Sequence, residues 1–156
     1  MAAGKWKNYD KSVLNRLKGE LNMNATTNWK MALYTSSSNC NTLTASEKLA
    51  DLTNEVANGN GYTTGGVALT NVVLTRSGNV VTFDCDDAVW NASGGSITAR
   101  YAVIYRNATD GTIVNPLYVV SLLDTTPADV TVTTGNSLTI TINASGITTD
   151  TGNNAD

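Results

Sequence analysis

From residue 67 onward the chain carries short runs of apolar, often β-branched residues separated by turn formers, the pattern of an all-β sandwich or barrel. Strands are predicted near 67–75, 80–84, 97–106, 117–123, 130–133 and 138–142. Val81, Phe83 and Cys85 alternate with Thr82 and Asp84, and Leu138, Ile140 and Ile142 alternate with Thr139 and Thr141, as expected of strands with one wet face. YAVIY (101–105) and LYVVSLL (117–123) are instead apolar on both faces, which predicts central strands or strands covered by a neighbouring subunit. Hairpins are expected at Ser77-Gly78-Asn79, Thr109-Asp110-Gly111 and Thr134-Gly135-Asn136, and Pro127 breaks the chain after Asp124.

The first third reads differently. Val13, Leu14, Leu17 and Leu21 recur at helical spacing over 11–21, with Asp10 placed as N-cap and Gly19 weakening the last turn. Residues 29–35 predict a first strand. A long polar connection over 36–66 holds one helical turn at 45–52, where Ser46 would cap and Leu49 and Leu52 would tuck inward. NGNGYTTGG at its end predicts a loop or bulge that re-aims the chain, because glycine adopts left-handed backbone angles at little cost. The fold expected is mainly β: an antiparallel β-sandwich, jelly-roll-like or immunoglobulin-like, with a short N-terminal helix. Its parts are a docking segment at 1–28, the sandwich at 29–147 and a flexible tail at 148–156.

At 156 residues the chain suits one domain. Charged residues make up only 15%, so the polar surface comes from Thr, Asn, Ser and Gly. A net charge of -3 argues against nucleic-acid binding, which needs clustered cations. The charge is uneven, however: Lys5, Lys7, Lys11, Arg16 and Lys18 crowd the start, while only Arg76, Arg100 and Arg106 lie beyond Lys48. The start lacks the apolar stretch of a signal peptide and no run approaches the ~20 apolar residues of a membrane helix, so a protein made in the cytoplasm with no membrane partner is expected. In that compartment Cys40 and Cys85 are expected to be free thiols.

With no histidine, Ser-His-Asp and Cys-His systems and His-ligated metals are absent, and NGNGYTTGG lacks the Gly-Lys-Ser/Thr ending of a phosphate loop. The best chemical candidate is Asp84, Asp86 and Asp87, either as Ca²⁺ ligands or as a carboxylate pair, against the plainer reading of a solvated strand end. Trp6, Trp29 and Trp90 with Tyr62 and Tyr101 would either line a sugar-binding face or pack in core and interface, with Trp90 anchoring the NASGG loop. Glycosylation-type triplets at Asn24, Asn91, Asn107 and Asn143 are read as coincidence in an Asn- and Thr-rich chain. No cofactor and no enzymatic activity are expected.

The stretch GYTTGGVALTN, followed by SGNVVTFDCDDAVWNASGGSITARYAVIY and NSLTITINASGI, resembles small structural proteins of tailed bacteriophages, and the likeness covers residues 29–147 including WKMALYT. That resemblance implies a virion location and a non-enzymatic role: a capsid decoration (cement) protein on the major capsid protein, or a tail-fibre, neck or baseplate adaptor. A carbohydrate-binding host-attachment module is the alternative from another class. A homotrimer covering 99–105 and 117–123 is expected, with docking through Trp6, Lys5, Lys7, Lys11, Leu14, Arg16, Leu17 and Lys18 onto an acidic surface; otherwise that segment packs on its own sandwich.

Overall fold

A computed structural model describes residues 4–152. Its elements run β1 (Lys7–Asn8), α1 (Asp10–Lys18), β2 (Trp29–Tyr34), a 3-10 turn (Leu49–Asp51), β3 (Val67–Ala68), β4 (Val73–Ser77), β5 (Val80–Asp84), β6 (Ala88–Asn91), β7 (Ile97–Ala99), β8 (Tyr101–Arg106), β9 (Thr109–Asp110), β10 (Ile113–Val114), β11 (Leu117–Leu122), β12 (Val130–Val132), β13 (Ser137–Ile140) and β14 (Thr148–Thr151). All strand pairs are antiparallel, and the architecture is the expected β-sandwich with one short N-terminal helix.

The five-stranded sheet β1-β11-β8-β2-β3 is covered on both faces. Trp29, Met31, Leu33, Ala102, Ile104 and Val119 point into the main core. Ala32, Tyr34, Val103, Tyr105, Leu117 and Val120 point into a second cluster closed by Tyr9 and Cys40, with Leu43, Leu49 and Leu52 of the long connection packed against it. This explains why β8 and β11 are apolar on both sides. The chain itself covers them, so the reason for expecting a homotrimer across these strands falls away. Strand β11 serves both faces through a bulge: its register with β8 shifts between Leu117 and Val119, which puts Leu117 on the same face as Val120.

Opposite the main core lies a two-stranded ribbon. β6 pairs with β13 and β7 pairs with β12, so residues 88–99 run against 130–140 with loops facing one another midway. Strand β6 is absent from the sequence expectation, although Ala88 and Trp90 are buried and Val89 and Asn91 exposed in strict alternation. The turn at Thr134-Gly135-Asn136 does not close a hairpin between its flanking strands. It sits where the ribbon opens, with Ala92 N–H donating to Asn136 O and Gly135 N–H to Ala92 O. A turn sequence fixes a local reversal, not the partner of the strand that follows.

The remaining sheet, β14-β5-β4, sends Phe83 into the same main core, against Trp29 and Tyr118 of the five-stranded sheet. Its hairpin turns at Gly78-Asn79, with Gly78 at φ 59 as a two-residue hairpin with glycine first requires. Three expectations are corrected here. The 67–75 strand is two strands, because Asn71 at φ 50 turns the chain between β3 and β4; the 97–106 strand divides at Arg100 between the ribbon and the five-stranded sheet; and the tail expected to be flexible contributes β14. Residues 153–156 lie outside the described part. The glycine-rich segment packs tightly: a Cβ on Gly61 would stand 1.9 Å from Asn91 O and one on Gly66 1.9 Å from Met31 O. Both glycines let the backbone approach where a side chain has no room.

Candidate functional site

The N-terminal segment is built into the sandwich. Gly4 N–H donates to Leu122 O at 2.7 Å, β1 pairs with β11 at Lys7↔Val120, and Tyr9 is fully buried with its hydroxyl donating to Cys40 O at 2.8 Å. Of the docking segment expected at 1–28, the described residues 4–28 do not stand apart from the sandwich: they supply an edge strand and a core tyrosine. The segment also satisfies the bulge in β11, since Tyr118 O accepts from Tyr9 N–H at 3.3 Å and from Ser12 Oγ at 2.9 Å.

Those bonds set the roll of α1, and the result inverts its amphipathicity. The residues that face inward are polar: Ser12 and Asn15 are each 1% exposed. Ser12 Oγ also lies 2.9 Å from Tyr9 O, so its one hydroxyl proton is shared between the two carbonyls, and Asn15 Nδ2 donates to Glu47 Oε1 at 3.2 Å. Val13, Leu14 and Leu17 lie at 38%, 49% and 84% exposure. A surface helix ordinarily turns its apolar stripe to the core. Here a small serine lets the helix sit close on β11, and its leucines face solvent. The capping expectation is also revised: Tyr9 is the N-cap residue without a side-chain cap bond, Asp10 lies in the first turn, and Gly19 at φ 75 ends the helix, so Leu21 is buried beyond it rather than on it.

Between α1 and the three-stranded sheet runs an apolar groove of about 370 Å³ lined by Val13, Leu17, Met23, Leu74, Val81 and Phe83. Arg16 bounds it. Its guanidinium lies 5.5 Å from the Tyr118 ring centroid and pairs with Asp150 at 2.8 Å, tying the helix to β14. Leu74 and Val73, at 40% and 41% exposure, extend the apolar surface onto β4. Neither residue was singled out from the sequence. Their signal was the run VVLTRSGNVV, more apolar than a hairpin at the sheet edge buries.

The predicted docking residues are only partly assembled. Leu14, Leu17 and exposed Lys18 share the outer helix surface, with Lys11 half-buried beside them, and Lys18 lies 3.9 Å from Glu20. Arg16 is engaged inside the fold. Lys5 and Lys7 are exposed around β1, while Trp6 packs against the main core and, with Lys5, Asn8, Ser121 and Asn143, borders a separate groove.

Asp84, Asp86 and Asp87 do not converge. Asp84 Oδ1 accepts from Cys85 N–H, Asp86 Oδ2 from Thr70 Oγ1 and Asn71 Nδ2, and Asp87 Oδ1 from Ile142 N–H. Among the described residues no group of three His, Cys, Asp or Glu is placed to hold a metal. Each aspartate instead fastens a loop. Together with burial they push the Cys85 thiol up to about 12, while burial pushes Cys40 up to about 11. Both cysteines are free and lie against different clusters.

The proposed aromatic sugar face is not formed, since Trp29, Trp90 and Tyr62 are buried. Trp29 packs edge-on to Phe83 at 4.9 Å, and Tyr62 hydroxyl accepts from Leu33 N–H while donating to Glu55. No family model matches the chain, and no match to it was found among curated proteins or among solved structures.

Proposed function

We propose that the protein is a non-enzymatic structural subunit of a tailed-phage virion, a capsid decoration protein that docks on the major capsid protein through the outer face of α1. The observation that carries the docking is the inverted helix: a 9-residue helix holds serine and asparagine against its own sheet and presents Val13, Leu14 and Leu17 to solvent. Exposed apolar side chains grouped on one rigid element mark an interaction surface. Lys11 and Lys18 beside them suit an acidic partner. The virion setting is supported by the resemblance of 29–147 to phage structural proteins.

The test is Leu14→Asp with Leu17→Asp. Both side chains are solvent-facing, so the protein should remain folded, and its binding to undecorated capsids should be lost. Wild-type attachment should weaken with salt. Undiminished binding by the folded double variant would overturn the docking face. A tail-fibre, neck or baseplate adaptor could use the same face, and copy number separates the readings: gel densitometry of purified virions should give hundreds of copies, whereas a handful assigns the protein to the adaptor role.

A further inference from the structure

The three-stranded sheet ends in an edge that nothing among the described residues covers, and we propose that this edge, strand β4, pairs with β4 of a second copy about a twofold axis at Thr75. The inference is independent of the virion setting.

The hairpin fixes which backbone groups are free. Ser77 and Val80 flank a two-residue turn, so they form a hydrogen-bonded pair, as do Thr75↔Thr82 and Val73↔Asp84 in the continuous register with β5. The N–H and C=O groups of Leu74 and Arg76 therefore point to the open side. Edge strands are normally protected by proline, a bulge, covering loops or repeated charge. β4 has no proline and no bulge, its only charge is Arg76, and all five of its residues are exposed. Arg76 makes no ion pair among the described residues.

The free groups match a second copy of themselves. A twofold at Thr75 sets Leu74 opposite Arg76 of the partner and Arg76 opposite the partner's Leu74, which uses every outward-facing group of both residues. The two arginines are not placed directly across from each other, and Thr75 meets its own copy as a non-hydrogen-bonded pair. The axis stands normal to the sheet, so both copies turn the same face to the same side. Leu74, Val81 and Phe83 share that face with the groove beneath α1. Joining the edges makes one six-stranded sheet that carries Leu74 of both copies on one face.

The test is sedimentation of the full chain together with cross-linking through one introduced cysteine in a Cys85→Ser background, in which the remaining native thiol, Cys40, is buried. The wild type should move from 16.4 kDa toward twice that mass between low and high micromolar concentration. Thr75→Cys should form an interchain disulfide on mild oxidation, because Cβ atoms of such a pair stand about 4.5–5.5 Å apart. Ser77→Cys should not, since its copy lies about 13 Å away along the strands at ~3.4 Å per residue. Leu74→Pro removes an N–H that no strand of the same chain uses, so it should stay folded and monomeric. A wild type that remains monomeric at high micromolar concentration overturns the proposal, as does equal cross-linking at 75 and 77, or a folded Leu74→Pro that still dimerises.

Discussion

The five-stranded sheet and the three-stranded sheet draw on similar apolar alphabets and treat them in opposite ways. In β8 and β11 almost every side chain is buried, because the main core lies on one face and the long connection with Tyr9 covers the other. In β4 and β5 only Phe83 is fully buried, and Val73, Leu74, Val80 and Val81 keep some or much of their surface wet. The more apolar strands are the chain's own interior, and the less apolar hairpin is where a partner would gain most. Hydrophobicity along a sequence therefore locates interfaces poorly; apolar surface left uncovered after folding locates them better.

The contrast breaks most visibly at Tyr9. If the second face of the five-stranded sheet is true interior, Tyr9→Ala leaves a cavity and an unpaired Cys40 carbonyl, and chemical unfolding should show a loss of about 3–5 kcal/mol. Removing residues 1–21 should abolish cooperative unfolding; a truncated chain of near-native stability would restore the separable arm.

A second break comes from pH. The folded Cys40 thiol is raised from 9.0 to about 11 by burial, and burial with the Glu55 charge raises Tyr105 from 10.0 to about 12. Groups raised in the folded state contribute stability that is complete below the unfolded value and is lost as pH rises through the folded one. Unfolding free energy should thus fall between about pH 9 and 11, by ~2–3 kcal/mol from Cys40. Urea titrations of Cys40→Ala should show a flatter profile across that window, and an unchanged slope would remove the thiol from the account.

Smaller effects sharpen the outer layer. Arg16→Met loses a partly exposed ion pair with Asp150 and the contact over Tyr118, so about 1 kcal/mol is expected, with faster hydrogen exchange in β14 as the local readout. Leu17→Ala should change stability by no more than about 0.5 kcal/mol, since the side chain is 84% exposed. A loss of 2 kcal/mol or more would mean that Leu17 packs within its own chain and is no docking residue.

Where the elements lie was largely legible. Alternation placed β5 and β13, dense apolar runs placed β2, β8 and β11, and Gly78-Asn79 marked its hairpin, because side-chain period and turn chemistry are local properties. The candidate surface is legible only in part: the sequence offers Leu14 and Leu17 both as an amphipathic stripe and as docking anchors, and only the structure shows that serine and asparagine, not the leucines, face the sheet. Val73 and Leu74 carry only the collective signal of the run VVLTRSGNVV, which does not say which of its apolar residues stay uncovered.

By itself, then, the sequence determined the β-rich class, the short helix, the apolar character of both faces of 101–105 and 117–123, and the lack of any histidine-based chemistry. Tertiary structure alone decided which strands pair across the ribbon, that the long connection covers a second core, that three aspartates fasten three separate contacts, and that α1 rolls its leucines outward. The last follows from one carbonyl. The bulge at Tyr118 turns its oxygen toward the N-terminal segment, where Tyr9 N–H and Ser12 Oγ both donate to it, and these two bonds hold the serine face of the helix against β11 and leave the leucines facing outward.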